Sequence, residues 1–187
     1  MGLVRFPHQR YASLELNQVA FPKTGMVVSQ TPLGSEFTAS APCENGMWLL
    51  ADKAKGTLGS ATDVTAKPYG IVYTAEKNYN VSEQGLKNFC QVEGDYPRVG
   101  ILGLGDTVTT NCLQYDNTET GFTTAEALET TLNAYATTAV YVIAVASDPV
   151  PKLTKTLTSY NGPVGKVTKY YTLPNGEKAV KYEMIKI

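Results

Sequence analysis

KVTKYYTLPNGEKAVKYEMIKI, residues 166–187, decides the class of fold. From Lys166 to Leu173 polar and apolar side chains alternate, Pro174-Asn175-Gly176 is turn chemistry, and Lys178 to Ile187 alternates again. Successive side chains of a strand point to opposite faces, so alternation marks a half-buried strand. Asn-Gly supplies the positive φ angles that a tight hairpin needs. On the return strand Val180, Tyr182 and Met184 share one face, Lys181 and Glu183 the other. The stretch predicts an antiparallel hairpin with one face in a core, and the ending Ile185-Lys186-Ile187 predicts a last strand that is paired.

The segments upstream read the same way. Ser13–Asn17 alternates, Met26-Val27-Val28 and Met47–Leu50 are short apolar runs bounded by Gly, and Tyr69–Tyr73 follows Pro68. Arg98–Leu102 and Thr107-Val108-Thr109 flank a glycine-rich turn, and Ala139–Val145 is the most apolar segment, expected as a core strand. Short runs rich in β-branched residues and Tyr, separated by Gly, Pro, Asn and Asp, predict a mainly β fold, a small β-barrel or sandwich. One short helix is expected after Thr123-Thr124-Ala125-Glu126, a capping-box pattern followed by Leu128, Leu132 and Tyr135 at helical spacing. Asp148-Pro149-Val150-Pro151 is expected to end the core strand and re-aim the chain. Residues 1–24 carry Pro7, Pro22 and little periodicity, and are expected as an extended N-terminal arm that packs on its own body or on a neighbour. Residues 25–187 form the β-rich body, with 151–187 as its closing hairpin segment.

Composition limits the chemistry. The 187 residues hold 16 Lys+Arg against 17 Asp+Glu, with 43% hydrophobic and 10% aromatic residues. That suits one soluble globular domain, or a small body with an appendage, since domains commonly run ~100–200 residues. No apolar run approaches the ~18–20 residues of a membrane span, and MGLVRFPHQRYASLEL lacks the apolar centre of a signal peptide. His8 is the single histidine, so no two-histidine metal site forms within one chain, and any Ser-His-Asp or Cys-His mechanism would need His8 as its base. Cys43, Cys90 and Cys112 have no CxxC spacing; one disulfide is possible on arithmetic, and three free thiols in a reducing compartment are the plainer expectation. Gly100–Asp106 runs GxxGxG with no helix behind it, and is expected as a tight β-turn or bulge rather than a nucleotide loop. Asn80-Val81-Ser82 is a chance glycosylation sequon. Carboxylate pairs of the glycosidase kind have no local pattern that sets them together. No cofactor and no metal site are expected.

Charge is segregated along the chain. Residues 1–98 are balanced, residues 99–151 hold six acids and no Lys or Arg, and residues 152–187 hold seven Lys with Glu177 and Glu183. Near-neutrality overall argues against a nucleic-acid binder; the basic C-terminal segment suits an anionic partner, but the alternating lysines read first as the solvated face of a strand pair. Tyr outnumbers Phe 12 to 5, which is compatible both with barrel packing and with protein contact surfaces.

Three stretches carry a family resemblance: Cys43–Asp52 running into Thr65–Thr74, Pro97–Asn111, and Val164–Val167 through Leu173–Gly176 to Met184–Ile187. The pattern of a strand with a Gly, then Gly-Ile-Val, then Gly-Asp-x-x-Thr-x-Asn, then a closing hairpin resembles capsid decoration (cement) proteins of tailed bacteriophages and related bases of head fibres. The likeness spans most of residues 43–187 and lies in strand-and-turn style. It implies a non-enzymatic virion protein, assembled in the host cytoplasm. Such a protein would be homo-oligomeric with a trimer favoured, and would clamp major capsid protein subunits on the capsid exterior. No membrane or direct nucleic-acid partner is implied. The arm residues Arg5, Phe6, Arg10 and Tyr11 are the expected capsid contacts. The chain departs from the smallest such proteins in length and in its acidic middle, which leaves open whether residues 111–138 form a protrusion. Two alternatives stand beside this reading. One is a low-copy tail or baseplate component. The other is a small-ligand or glycan-binding β-barrel with Trp48 and nearby Tyr residues as its platform.

Overall fold

The structure, a computed structural model, describes residues 2–16, 19–21, 27–28, 31–52, 55–66, 69–75 and 89–187. Asn17, Pro22, Met26, Pro68 and the Asn80-Val81-Ser82 sequon lie outside the described residues. In chain order the described residues form β1 (Leu3–Arg5), β2 (Val27–Val28), β3 (Trp48–Asp52), β4 (Thr57–Gly59), β5 (Gly70–Val72) and β6 (Val99–Ile101). There follow β7 (Thr107–Thr110), β8 (Gln114–Asp116), helix α1 (Ala125–Asn133), β9 (Tyr141–Val145), β10 (Asp148–Thr154), β11 (Val164–Thr172) and β12 (Lys178–Lys186).

The strands make a seven-stranded sheet in the order β1-β8-β10-β9-β11-β12-β7 and a five-stranded sheet in the order β2-β6-β5-β3-β4. The protein is therefore mainly β. Its two sheets form a sandwich-like body without a closed barrel. The predicted hairpin is present: β11 pairs antiparallel with β12, Leu173 N–H donates to Glu177 O at 2.7 Å, and Gly176 turns the chain at φ 86°. Inside it Gly165 lies under the Tyr182 ring, where a Cβ would come within 2.6 Å of Cδ2. Glycine is the residue that admits this close approach.

β7 and β8 are joined by only Asn111, Cys112 and Leu113, yet stand at the far end and next to the near end of the strand order. The large sheet therefore curls until its two ends approach. The N-terminal segment lies along both: Leu3, Val4 and Arg5 pair with β8, Phe6 N–H donates to Leu113 O, and Leu14 and Ala20 bridge to Thr110 and Thr107 of β7. The described residues of the arm pack on their own body.

Two apolar clusters fill the protein. Trp48 and Ile71 of the small sheet, with Leu102 just after β6, meet Val108, Val142, Val167, Val180 and Tyr182 of the large one. The neighbours Met47, Leu49, Val72 and Val99 face Leu33, Phe37 and Leu58 on the other side. Because both faces of the small sheet are covered, its strands read as continuous apolar runs. Helix α1 adds Leu128 and Leu132 to the first cluster, together with Phe122. Residues 111–138 are thus built into the core rather than raised as a protrusion. The helix cap is Thr124, whose hydroxyl accepts from Ala127 N–H at 3.1 Å, so Glu126 lies in the first turn rather than at the reciprocal capping position.

One expectation is corrected. Asp148–Pro151 does not re-aim the chain; it opens β10, which pairs with β9 after a turn at Ser147 (φ 59°). The pairing register shifts between Asp148 and Lys152, where Pro149 and Pro151 cannot donate to a ladder. Gln114 Nε2 donates instead to Val150 O at 2.6 Å and Asp148 Oδ2 at 3.0 Å. A side-chain amide supplies what the prolines lack. Ser13–Asn17, expected as a strand, contributes a single bridge at Leu14 among its described residues.

Candidate functional site

The expected contact residues divide into two pairs. Phe6 is 1% exposed, inside the main cluster, with its ring edge-on to Tyr170 at 6.5 Å. Arg5 turns inward to an ion pair with Glu44 at 2.8 Å. Arg10 and Tyr11 remain at the surface, the guanidinium 5.2 Å from the Tyr11 ring centre. The Tyr11 phenol is held above its usual value by its hydrogen bond with Cys90, and the charge of Arg10 opposes that shift. Arg5 and Phe6 therefore fasten the segment to the body, and only Arg10 and Tyr11 are presented outward.

Two buried glutamates hold the segment down. Glu44 Oε2 accepts from the Arg5 guanidinium and from Ala12 N–H at 2.7 Å. Glu177 accepts from Gln9 N–H at 2.8 Å, from the side-chain amides of Asn111 and Asn175 at 3.0 Å, and from Ser13 Oγ at 3.4 Å. Ser13 is gripped further: its N–H donates to Asn111 Oδ1 at 2.5 Å, and its carbonyl accepts from Thr110 Oγ1 at 2.7 Å. A buried carboxylate is tolerated when donors surround it, and the segment's own N–H groups are among those donors. Apart from Asn175, two positions from Glu177, the partners of the two glutamates are distant in sequence, which is why pattern reading did not find them. The signal present was a charged residue beside a turn, in Cys43-Glu44-Asn45-Gly46 and Asn175-Gly176-Glu177.

The remaining motifs resolve locally. Gly100 and Ile101 lie in β6, and the turn is at 103–106, where Asp106 Oδ2 accepts from Gly103 N–H at 2.6 Å and Gly105 takes φ 85°. His8 Nδ1 donates to Phe6 O at 2.7 Å. Among the described residues no group of three or more His, Cys, Asp or Glu gathers as for a metal ion. Cys43, Cys90 and Cys112 are free, and burial pushes the Cys43 and Cys112 thiols well up.

Compared with known proteins, the chain matches no family model, no curated protein and no solved structure.

Trp48 is 2% exposed and its indole N–H donates to Tyr182 Oη at 3.0 Å, so it forms no sugar platform. Two open depressions of about 810 and 380 Å³ adjoin at Glu36, Ser60 and Ser147. Glu36 Oε1 accepts from Ser60 N–H there. Among the described residues the larger depression is walled by Leu, Ser, Thr, Ala and Gly with Glu36, Glu93 and Lys55, and the smaller one holds a single aromatic, Phe37, itself 2% exposed. Those described residues offer no open ring face on which a sugar could stack.

Proposed function

We propose that the protein is a structural component of a tailed-phage virion that binds the capsid exterior and reinforces contacts between major capsid protein subunits, acting as a homo-oligomer, with a trimer favoured. What carries this reading beyond strand-and-turn style is the use made of the buried carboxylates. Glu44, Asp106 and Glu177 each accept hydrogen bonds from the chain itself, fixing a terminal segment or a turn. Such residues serve rigidity rather than turnover. A shell loaded from within gains from many rigid external clamps, each adding interface at subunit junctions.

The test is copy number. Quantification against the major capsid protein in gradient-purified virions should give copies in the hundreds, on the order expected for a repeated shell component. A handful of copies per particle would move the protein to the tail or baseplate. Absence from the particle would overturn the virion reading and bring a ligand-binding role forward.

A further inference from the structure

The register of the closing hairpin sorts its lysines. Lys166 stands opposite Glu183, Lys169 opposite Lys181, and Tyr171 opposite Ala179. Since Val180, Tyr182 and Met184 point into the core, the alternating Lys181, Glu183 and Ile185 point away from it, and so do their partners. The outward face thus gathers three lysines around one glutamate. Its other neighbours are Thr107 and Thr109 of β7, paired with Glu183 and Lys181. Among the described residues no carboxylate lies within ion-pair distance of Lys166, Lys169 or Lys181. Lys178, by contrast, reaches Glu129 on α1.

Like charges directly across a ladder destabilise a sheet. The Lys169–Lys181 pair is therefore an internal cost to the free fold, relieved when an anionic surface covers it. The rest of the face has the composition of a protein contact. Lys169 Nζ lies 5.1 Å from the Tyr171 ring centre, and Ile185 is 46% exposed. Leu104, 47% exposed, is drawn alongside because Gly105 N–H donates to Met184 O at 2.8 Å. Exposed branched aliphatics beside a basic centre suit another protein better than a phosphate backbone. The overall charge of −1 supplies no long-range attraction to a polyanion.

We infer that this face, Lys166, Lys169, Tyr171 and Lys181 flanked by Leu104 and Ile185, docks on an acidic protein surface. The identity of that surface as capsid rests on the virion reading above; the chemistry of the face does not.

The isotope-labelled full chain is titrated with poly-L-glutamate, then with duplex DNA and with vesicles of phosphatidylcholine and phosphatidylserine, following backbone amides by NMR. Poly-L-glutamate should move Lys166, Lys169, Tyr171 and Lys181 first. Lys169→Glu should weaken binding by about tenfold, while its melting temperature equals or exceeds wild type because the new carboxylate faces Lys181. Lys152→Glu, with the same change in net charge, should bind as wild type. Equal weakening in both variants, shifts centred elsewhere, or binding of DNA or vesicles in preference to poly-L-glutamate would overturn the inference. Virion incorporation separates the two readings. If wild type is present in hundreds of copies and Lys169→Glu assembles equally, the docking face is wrong and the virion reading stands. If the face binds poly-L-glutamate but the protein is absent from virions, the reverse holds.

Discussion

Glu177 accepts the side-chain amide of Asn111 at 3.0 Å, fastening the turn of the last hairpin to the corner between β7 and β8. The same carboxylate takes Gln9 N–H from the other end of the chain, across 168 positions. Glu177 is 7% exposed, so Glu177→Ala leaves Gln9 and Asn111 donors without an acceptor where water is scarce. Orphaning donors around a buried charge site costs roughly 3 kcal/mol. Urea unfolding should show the midpoint fall with an unchanged slope, and Glu177→Gln should fall less because it keeps one acceptor oxygen. A Glu177→Ala variant within about 0.5 kcal/mol of wild type would remove the clasp from the account of stability.

Deleting residues 1–24 tests whether the arm is separable. Phe6, Ala12, Ser13 and Leu14 are at most 1% exposed, and the segment covers Glu44, Asn111 and Glu177. The truncated chain should therefore lose its cooperative thermal transition rather than persist as a folded body. Phe6→Ala, a milder version, should cost about 3–5 kcal/mol as a buried aromatic truncation. Arg10→Ala, on an exposed residue, should shift stability by under about 0.5 kcal/mol. A folded, cooperative truncation would restore the arm as an appendage.

Much of the fold was legible because it is local. The hairpin of β11 and β12 announces itself through alternation around Asn175-Gly176, β9 through its apolar run, and α1 through Thr124 and the spacing of Leu128 and Leu132. What was not legible depends on distant partners. β10 begins on two prolines, and it is the amide of Gln114, 36 positions from Val150, that makes this acceptable. β8 is three residues long and carries no pattern of its own. The inward turn of Arg5 and Phe6 was hidden for the same reason: Glu44 lies 39 positions from Arg5, and a stretch without periodicity does not say which side chains face in.

The three thiols should react unequally. Cys43 and Cys112 are 1% and 0% exposed, while Cys90 is half-buried beside Tyr11. The thiolate is the reacting form and must also be reachable. Ellman's reagent should therefore modify one thiol quickly, mapped by peptide mass to Cys90, and the other two only as the chain unfolds. Fast release of all three equivalents from native protein would mean that the core around Cys43 and Cys112 opens readily.

Alkaline pH should loosen the fold through its tyrosines. Burial, with the charge of Asp63 adding, pushes Tyr69 up to about 12, and burial with Glu129 pushes Tyr170 up to about 12. Burial raises Tyr160 and Tyr182 as well. A phenol in the unfolded chain ionises near 10, so above that pH the unfolded state binds fewer protons than the folded state. Stability is then fully present below pH 10 and declines as pH climbs towards 12 and beyond. Tyr170 keeps partial contact with solvent and contributes modestly, whereas Tyr69 and Tyr182 are 2% and 0% exposed. The urea midpoint should be lower at about pH 11 than at about pH 8, with tyrosinate absorbance appearing only as the chain unfolds for the most buried rings. Tyr182→Phe removes the hydroxyl that accepts from Trp48, costing about 1 kcal/mol at neutral pH. The same change should flatten the alkaline decline, because a phenylalanine ring has no proton to lose. An unaltered slope in that variant would assign the decline to the other tyrosines.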